Sequence, residues 1–387
     1  MAGCPVCGAS DTRPLLRLEG LPVFCNVQYA DPDSARAQPT ADIALHFCAA
    51  CRHFFNAAFQ PELLRYGQHY ENSLHYSATF SGFARDLAAE LVERHGLRGV
   101  QIVDIGCGKG DFLRLLCELG DNEGHGFDPS YEAERDAAPL PEQLHFHARE
   151  FGPGEAGLRP RLVSCRQVLE HIWAPVEFLS GIVAALPPDR ARLYYVEVPN
   201  ALYTVRDLGI WDLIYEHCQY FSPASLAACA QRAGLSPQRL TERFGAQYLA
   251  MEAQGSAGGR RRASVADGGA AAAAAAFPQQ ARERLAHWRR ELSRLTTAGP
   301  AVIWGAGSKG VTFANLVGAA ERIAALVDIN PHKQGRYVAG TGHRIVAPDA
   351  LQAIDPAVVL VMNPLYTGEI QAQLGTLGLH AAVLGVS

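Results

Sequence analysis

Gln101-Ile102-Val103-Asp104-Ile105-Gly106-Cys107-Gly108-Lys109-Gly110-Asp111-Phe112-Leu113 decides the fold of the middle of this 387-residue chain. An apolar run enters a loop with glycine at every second position and leaves it as a helix. Glycines at the carboxyl end of a strand let the backbone turn sharply and approach a ligand closely. The spacing is Gly-x-Gly-x-Gly, not the Gly-x-Gly-x-x-Gly of dinucleotide-binding loops. Asp104 precedes the first glycine. A carboxylate there repels a pyrophosphate and suits the ammonium of S-adenosylmethionine (SAM). Downstream, Gly124-His125-Gly126-Phe127-Asp128-Pro129 reads as a second strand ending in an acid, with Asp128 placed to accept hydrogen bonds from both ribose hydroxyls. Asp104, Gly106, Gly108, Gly110 and Asp128 are thus the expected cofactor residues. Gln167 joins them at the end of the expected fourth strand, and Arg149-Glu150-Phe151 is expected to border the adenine.

Working outward, strand–loop–helix alternation continues on both sides. Val100 to Ile105, Leu193 to Val198, Ala301 to Trp304, Ile323 to Val327 and Val358 to Met362 read as buried strands. Such alternation implies parallel sheets covered by helices on both faces, an α/β class. A second glycine loop, Gly305-Ala306-Gly307-Ser308-Lys309-Gly310, has the Gly-x-Gly-x-x-Gly spacing, and Asp328 follows at the end of the next apolar run. Three uses stay open for this loop: a tight turn for helix packing, a grip on a substrate phosphate or nucleotide with Lys309, or NAD binding. Between the two α/β segments, the Gly-, Ala- and Arg-rich stretch ending in Ala270 to Ala276 reads as a linker or a poorly packed helix lead-in. Leu285, Trp288, Leu292 and Leu295 then mark an amphipathic helix over Glu283 to Leu295. The expected boundaries are a small domain over 1–64, a Rossmann-like core over 65–253, a linker over 254–280 and a second Rossmann-like domain over 281–387.

The small domain carries Cys4-Pro5-Val6-Cys7 and Cys48-Ala49-Ala50-Cys51. Each Cys-x-x-Cys turn places two thiolates on one side of a metal, and two such turns complete a tetrahedral site. Cys4, Cys7, Cys48 and Cys51 are therefore expected to hold a structural Zn2+ with no open coordination position. The amino terminus lacks a charged segment followed by an apolar core, and no apolar run reaches the ~18 residues a membrane span needs. A reducing cytoplasm is the expected setting, where ten cysteines argue for metal ligands and buried thiols over disulfides. A net charge of -5 with one dense basic cluster, Arg260-Arg261-Arg262, excludes an electrostatic nucleic-acid binder. The expected partner is a small-molecule acceptor, with neither nucleic acid nor membrane.

Two stretches carry candidate chemistry. Val168-Leu169-Glu170-His171 sits where the fourth strand should end, so His171 lies near the cofactor and can take a proton; helix capping or sheet buttressing is the alternative. Tyr215-Glu216-His217-Cys218 precedes a helix capped by Ser222 and Pro223. Tyr215 and His217 can hold a developing enolate oxygen and Glu216 can orient the histidine. Tyr70 and Tyr76, in the connector before the core, are placed to fold over the cleft.

Taken in order, these pieces resemble the deoxysugar C-methyltransferase family over nearly the whole chain. The resemblance rests on Cys4, Cys7, Cys48 and Cys51; Asp104 to Gly110; Glu216-His217-Cys218-Gln219-Tyr220-Phe221-Ser222; Gly305 to Gly310; and Val327-Asp328-Ile329-Asn330-Pro331-His332-Lys333-Gln334-Gly335. It implies a zinc-binding amino-terminal domain, a class I SAM-methyltransferase core and a Rossmann-like carboxyl-terminal domain. It also implies methylation of carbon next to the ketone of a nucleotide-linked sugar, with His171 as base by analogy and Tyr215, Glu216 and His217 around the enolate. Two stretches differ from the family. Ile214 stands where the family has tyrosine two places before the glutamate, and Phe244-Gly245-Ala246-Gln247-Tyr248-Leu249 replaces a His-Gly-Gly-Ser-Leu-Arg segment. Another secondary-metabolite acceptor, methylation on oxygen or nitrogen, and an NAD-dependent oxidoreductase remain the alternatives.

Overall fold

Why the glycine loops end up facing each other follows from how three sheets are tied together. The structure is a computed structural model that describes residues 3–64, 71, 73–132, 140–256 and 267–386. Thr12–Pro22 (β1), Thr40–Cys48 (β2) and His53–Asn56 (β3) form an antiparallel meander whose turn between β2 and β3 holds Cys51. Ser77 caps the helix Ala78–His95 (α1), its side chain accepting from Phe80 N–H, and Gly96 ends it in a left-handed conformation.

The core follows: Gln101–Ile105 (β4), Asp111–Gly120 (α2), Glu123–Phe127 (β5), Leu144–His147 (β6), Leu162–Arg166 (β7), Pro175–Ala185 (α3), Leu193–Pro199 (β8), Gln219–Tyr220 (β9), Pro223–Arg232 (α4), Leu235–Arg243 (β10) and Tyr248–Gly255 (β11). Seven of these strands make one sheet in the order β10-β11-β8-β7-β4-β5-β6. The five strands from β4 to β8 pair in parallel, and the terminal hairpin inserts β11 antiparallel beside β8. This is the class I SAM-methyltransferase fold. The chain starts in the middle at β4, runs outward to β6, then crosses back to β7. Open α/β sheets bind ligands at that reversal, beyond the carboxyl ends of the strands. Strand β9 leaves this sheet and pairs with β3, so the segment before Ser222 is anchored on the cysteine module.

Ala270–Leu295 (α5) is one helix of 26 residues. It begins inside the stretch expected as linker, of which residues 257–266 lie outside the described residues. Ala270, Ala273, Ala274, Phe277 and Ala281 extend the buried stripe of Leu285, Trp288 and Leu292 backwards through the alanine run. Alanine is the best helix former, and small side chains allow close approach to Ala201 and Leu202 in the shared core. Then come Ala301–Trp304 (β12), Ser308–Val317 (α6), Ile323–Val327 (β13), Ile345–Val346 (β14), Val358–Val361 (β15), Thr367–Thr376 (α7) and Ala382–Gly385 (β16). Their sheet is all-parallel in the order β14-β13-β12-β15-β16. Among the described residues, no helix is long and apolar enough to cross a membrane.

Candidate active site

The loop after β4 is shaped by what surrounds it. Gly106 has φ +67°, and a Cβ there would lie 2.2 Å from Val168 Cγ2. Its N–H donates to the Phe127 carbonyl at 2.8 Å. Asp104 is buried and accepts from Ser164 Oγ at 2.6 Å. Burial pushes its carboxyl up to about 6, against the opposing pull of the Ser164 hydroxyl and Arg166. Asp128, at the end of β5, accepts from Gly108 N–H at 2.8 Å through one oxygen and from the Ser130 N–H and hydroxyl at 2.7 Å through the other. Gln167 takes φ +56° and turns the chain so that Val168 lies under the glycine loop.

Arg166, which sequence reading missed, completes this floor. Its guanidinium lies 3.9 Å from the centroid of the Phe112 ring and pairs with Glu197 at 2.9 Å. A signal existed: Glu197 interrupts the apolar strand β8, and a buried carboxylate needs a partner.

Two chain segments are stitched together beside this floor. His171 Nδ1–H donates to the Glu216 carbonyl at 2.9 Å, and Cys218 N–H donates to the Glu170 carbonyl at 2.9 Å. The first bond fixes the tautomer, making Nε2 the basic nitrogen of His171. Burial holds this imidazole down to about 4, so it is neutral at pH 7. The ring of His217 stands edge-on at 4.8 Å. Burial holds it well below the usual histidine value as well. Nδ1 of His217 has no hydrogen-bond partner among the described residues. Glu170, 1% exposed, is pushed up to about 8 by burial, with Oε1 3.9 Å from His171 Nε2.

The other candidates divide. Tyr76 lies on the cleft wall, 43% exposed, with its ring 6.3 Å from that of His332. Tyr70 lies outside the described residues. Tyr215 and Glu216 are not among the residues that line the cleft. The hydroxyl of Tyr215 accepts from Gln60 N–H at 2.8 Å inside the amino-terminal core, and its ring packs on Phe59. The Glu216 carboxylate accepts from Cys25 N–H at 2.8 Å. Only the backbone carbonyl of Glu216 serves the histidine, because Tyr215 and Glu216 sit in a turn, closed by His217 N–H donating to the Ile214 carbonyl at 3.2 Å, that aims their side chains into the amino-terminal module. Cys218 is fully buried, its thiol pushed up to about 12 by burial.

The second glycine loop faces the first across the same cleft, whose volume is about 740 Å³. Gly106, Gly108, Asp128, Glu150, Phe151, Gln167, His171 and His217 line one side, and Gly305, Gly307, Lys309 and Asp328 the other. Lys309 is already engaged: its ammonium lies 3.3 Å from Asp212 Oδ2 and donates to Gln247 Oε1 at 2.5 Å. Asp328 accepts from Ala306 N–H at 3.1 Å and Asn330 N–H at 2.9 Å, with Lys333 Nζ at 3.3 Å.

Away from the cleft, the sulfurs of Cys4, Cys7, Cys48 and Cys51 all lie within 4.8 Å of one another, a spacing at which they could hold a metal ion.

Comparison with known proteins agrees with this layout. Residues 76–240 match the model of a methyltransferase domain, and residues 267–380 match that of a C-methyltransferase C-terminal domain. The C-methyltransferase NovU of Streptomyces niveus is 28% identical over 243 residues, 60% of this chain and 55% of that protein. A ubiquinone biosynthesis O-methyltransferase of Bordetella avium is 25% identical over 165 residues, 36% of this chain and 64% of that one. The matched stretches thus span less than two thirds of either relative. Among solved structures, the magnesium protoporphyrin IX methyltransferase ChlM of Synechocystis PCC 6803 with bound SAH is 20% identical, over 46% of this chain and 84% of that one, with a TM-score of 0.36. The chain thus carries a methyltransferase domain followed by a C-methyltransferase C-terminal domain.

Proposed function

We propose that this chain is a SAM-dependent methyltransferase that methylates carbon next to a carbonyl of a small-molecule acceptor, a nucleotide-linked sugar or another secondary metabolite. The observation that carries the reading is the placement of His171 Nε2, the basic nitrogen of a neutral imidazole, in the same cleft as the glycine loop and Asp128. A general base must be unprotonated at the working pH and within reach of the acceptor, and the lowered value of His171 meets the first condition at pH 7.

SAM supplies an electrophilic methyl group. On this reading Asp104 would hold its ammonium, Asp128 would exchange its present N–H partners for the ribose hydroxyls, and Gln167 would help line the cofactor site. His171 takes the proton from the acceptor carbon at Nε2, and the Glu216 carbonyl steadies the resulting imidazolium through Nδ1–H. Tyr215 and Glu216 drop out of the proposed enolate pocket, whereas Tyr76 stays as a wall residue. A second reading exchanges the histidines. His217 keeps its hydrogen bond to the Asp212 carbonyl through the other ring nitrogen, so its unpartnered Nδ1 is also a basic nitrogen. Oxygen or nitrogen methylation would use the same base on a hydroxyl or amine. NAD chemistry is disfavoured because Asp328, the residue that would take a ribose, is occupied by Lys333 and two backbone amides.

The four cysteines fit zinc. Two facing sulfur pairs lie at 3.5 Å, close to the ~3.8 Å edge of a tetrahedron with Zn–S bonds of about 2.3 Å. Four thiolates leave the metal closed, so its proposed role is to brace the module on which β9 is anchored.

The test is hydrogen exchange at the acceptor carbon. A nucleotide-linked 4-keto-deoxysugar in D2O, without SAM, should gain deuterium with the wild type and lose that exchange in His171→Asn. Retained exchange in His171→Asn with loss in His217→Asn selects the second reading. No exchange with the wild type counts against the carbon route.

A further inference from the structure

A different set of metal-ligating side chains sits on the β5–β6 edge of the central sheet. The parallel register places His125 opposite His145. Glu123 lies two residues before His125, hence on the same face. The two imidazoles are near-parallel, 4.8 Å apart at 29°. Both present Nε2 to one carboxylate oxygen: Glu123 Oε1 lies 3.1 Å from His125 Nε2 and 3.7 Å from His145 Nε2. Ligand atoms bound about 2.1 Å from one metal ion lie roughly 3 to 3.5 Å apart, so the set needs little rearrangement to close on a cation.

The carboxylate is also oriented from behind. Its other oxygen accepts from Gln101 Nε2 at 3.0 Å, and Gln101 Oε1 accepts from Arg159 N–H at 2.9 Å. Such outer hydrogen bonds hold a ligand's direction and raise affinity. His147, next on the same face of β6, stacks parallel to His125 at 6.0 Å, its Nε2 buried and unpartnered among the described residues. The side chains of Glu123 and His145 are 42% and 43% exposed, so water can complete the coordination sphere.

We propose that Glu123, His125 and His145 form a binding site for a divalent transition-metal cation, apart from both the four-cysteine cluster and the cleft. Two imidazoles and a carboxylate suit nickel, copper, cobalt or zinc and not magnesium or calcium, which take oxygen ligands. The site bridges β6, an edge strand, to β5, whose last residue precedes Asp128. A bound cation would therefore fasten the edge of the sheet beside the proposed ribose position.

Protein whose cysteine site is loaded with zinc is titrated calorimetrically with Ni2+. One equivalent should bind, its affinity falling at least tenfold in His145→Ala and in Glu123→Gln and staying unchanged in Glu170→Gln. His145 is an exposed edge residue, so its variant folds, and nickel should raise the melting temperature of the wild type and not of His145→Ala. Absence of binding to the wild type overturns the proposal, as does binding that survives His145→Ala. Binding lost in Glu170→Gln but kept in His145→Ala overturns it too and places the cation in the cleft, where Glu170, His171 and His217 form another trio within 4.8 Å.

Discussion

The two glycine loops begin alike and end differently. Each follows a buried strand, opens a helix and lies beside an acid that ends the next strand. After β4 the acid is Asp128, whose oxygens meet, among the described residues, only N–H and hydroxyl donors. After β12 it is Asp328, 8% exposed, with the ammonium of Lys333 at 3.3 Å. A cation beside a buried carboxylate satisfies its charge permanently, whereas neutral donors can be exchanged for ligand hydroxyls. Glycine use is alike in the two loops. A Cβ on Gly310 would lie 1.9 Å from the Gly305 carbonyl oxygen, so that glycine lets α6 pack on its own loop. A side chain on Gly106 would meet Val168 at the floor of the cleft. Both glycines therefore make room for protein atoms, and the partners of the two acids set the loops apart.

Exchanging the acids is the strongest way to break this comparison. Asp328→Ala leaves Lys333 buried without its carboxylate, and breaking a buried pair costs about 3–5 kcal/mol. It should lower the melting temperature by many degrees yet leave SAM affinity, measured on the folded protein, unchanged. Asp128→Ala removes a charged acceptor worth roughly 1.5–3 kcal/mol per bond, so SAM affinity should fall about 100-fold with little loss of stability. Equal effects of the two variants on SAM binding would refute the division of labour.

A smaller effect sharpens it. Asp104 titrates at about 6 because it is buried. Its unfolded value is near 3.8, so the folded apo protein holds this proton more tightly. That stability contribution is complete below pH 3.8 and is lost as pH rises through 6, a change of about 3 kcal/mol at 1.36 kcal/mol per unit. Asp104→Asn should therefore raise the melting temperature of the apo protein at pH 8. The ionised carboxylate is the form that attracts the ammonium of SAM. Affinity should climb about tenfold between pH 5 and 7 in the wild type, following the ionised fraction of a group titrating near 6. It should stay flat in Asp104→Asn.

What the sequence disclosed and what it hid have physical reasons. Glycine spacing at a strand end, an acid ending the next strand and paired Cys-x-x-Cys turns are local signals, and β4, β5 and the four-cysteine cluster stand where those signals put them. The direction of a side chain in a turn is set by tertiary contacts. Tyr215 and Glu216 therefore looked equivalent to His217, although Gln60 and Cys25 of the amino-terminal module claim them. The front half of α5 was hidden because an alanine run looks featureless until a partner surface shows which alanines are buried. Arg166 was hidden because its counter-charge, Glu197, lies on a strand 31 residues away.

The smallest effect tests Lys309, whose side chain ties the second loop to the methyltransferase domain. Lys309 joins Asp212 and Gln247, residues of the methyltransferase domain and its terminal hairpin. Burial raises the Asp212 carboxyl above its ordinary value, and Lys309 pulls the other way. Without the ammonium, Asp212 titrates still higher. A folded-state value raised above the unfolded one costs stability as pH rises through it. Lys309→Met should therefore destabilise by roughly 1–2 kcal/mol at pH 8 and by less at pH 5, since most of a buried pair's worth is the cost of stranding its partner. Adding Asp212→Asn should remove that pH dependence. A Lys309→Met penalty that is the same at both pH values would mean that the two domains are joined there by packing alone.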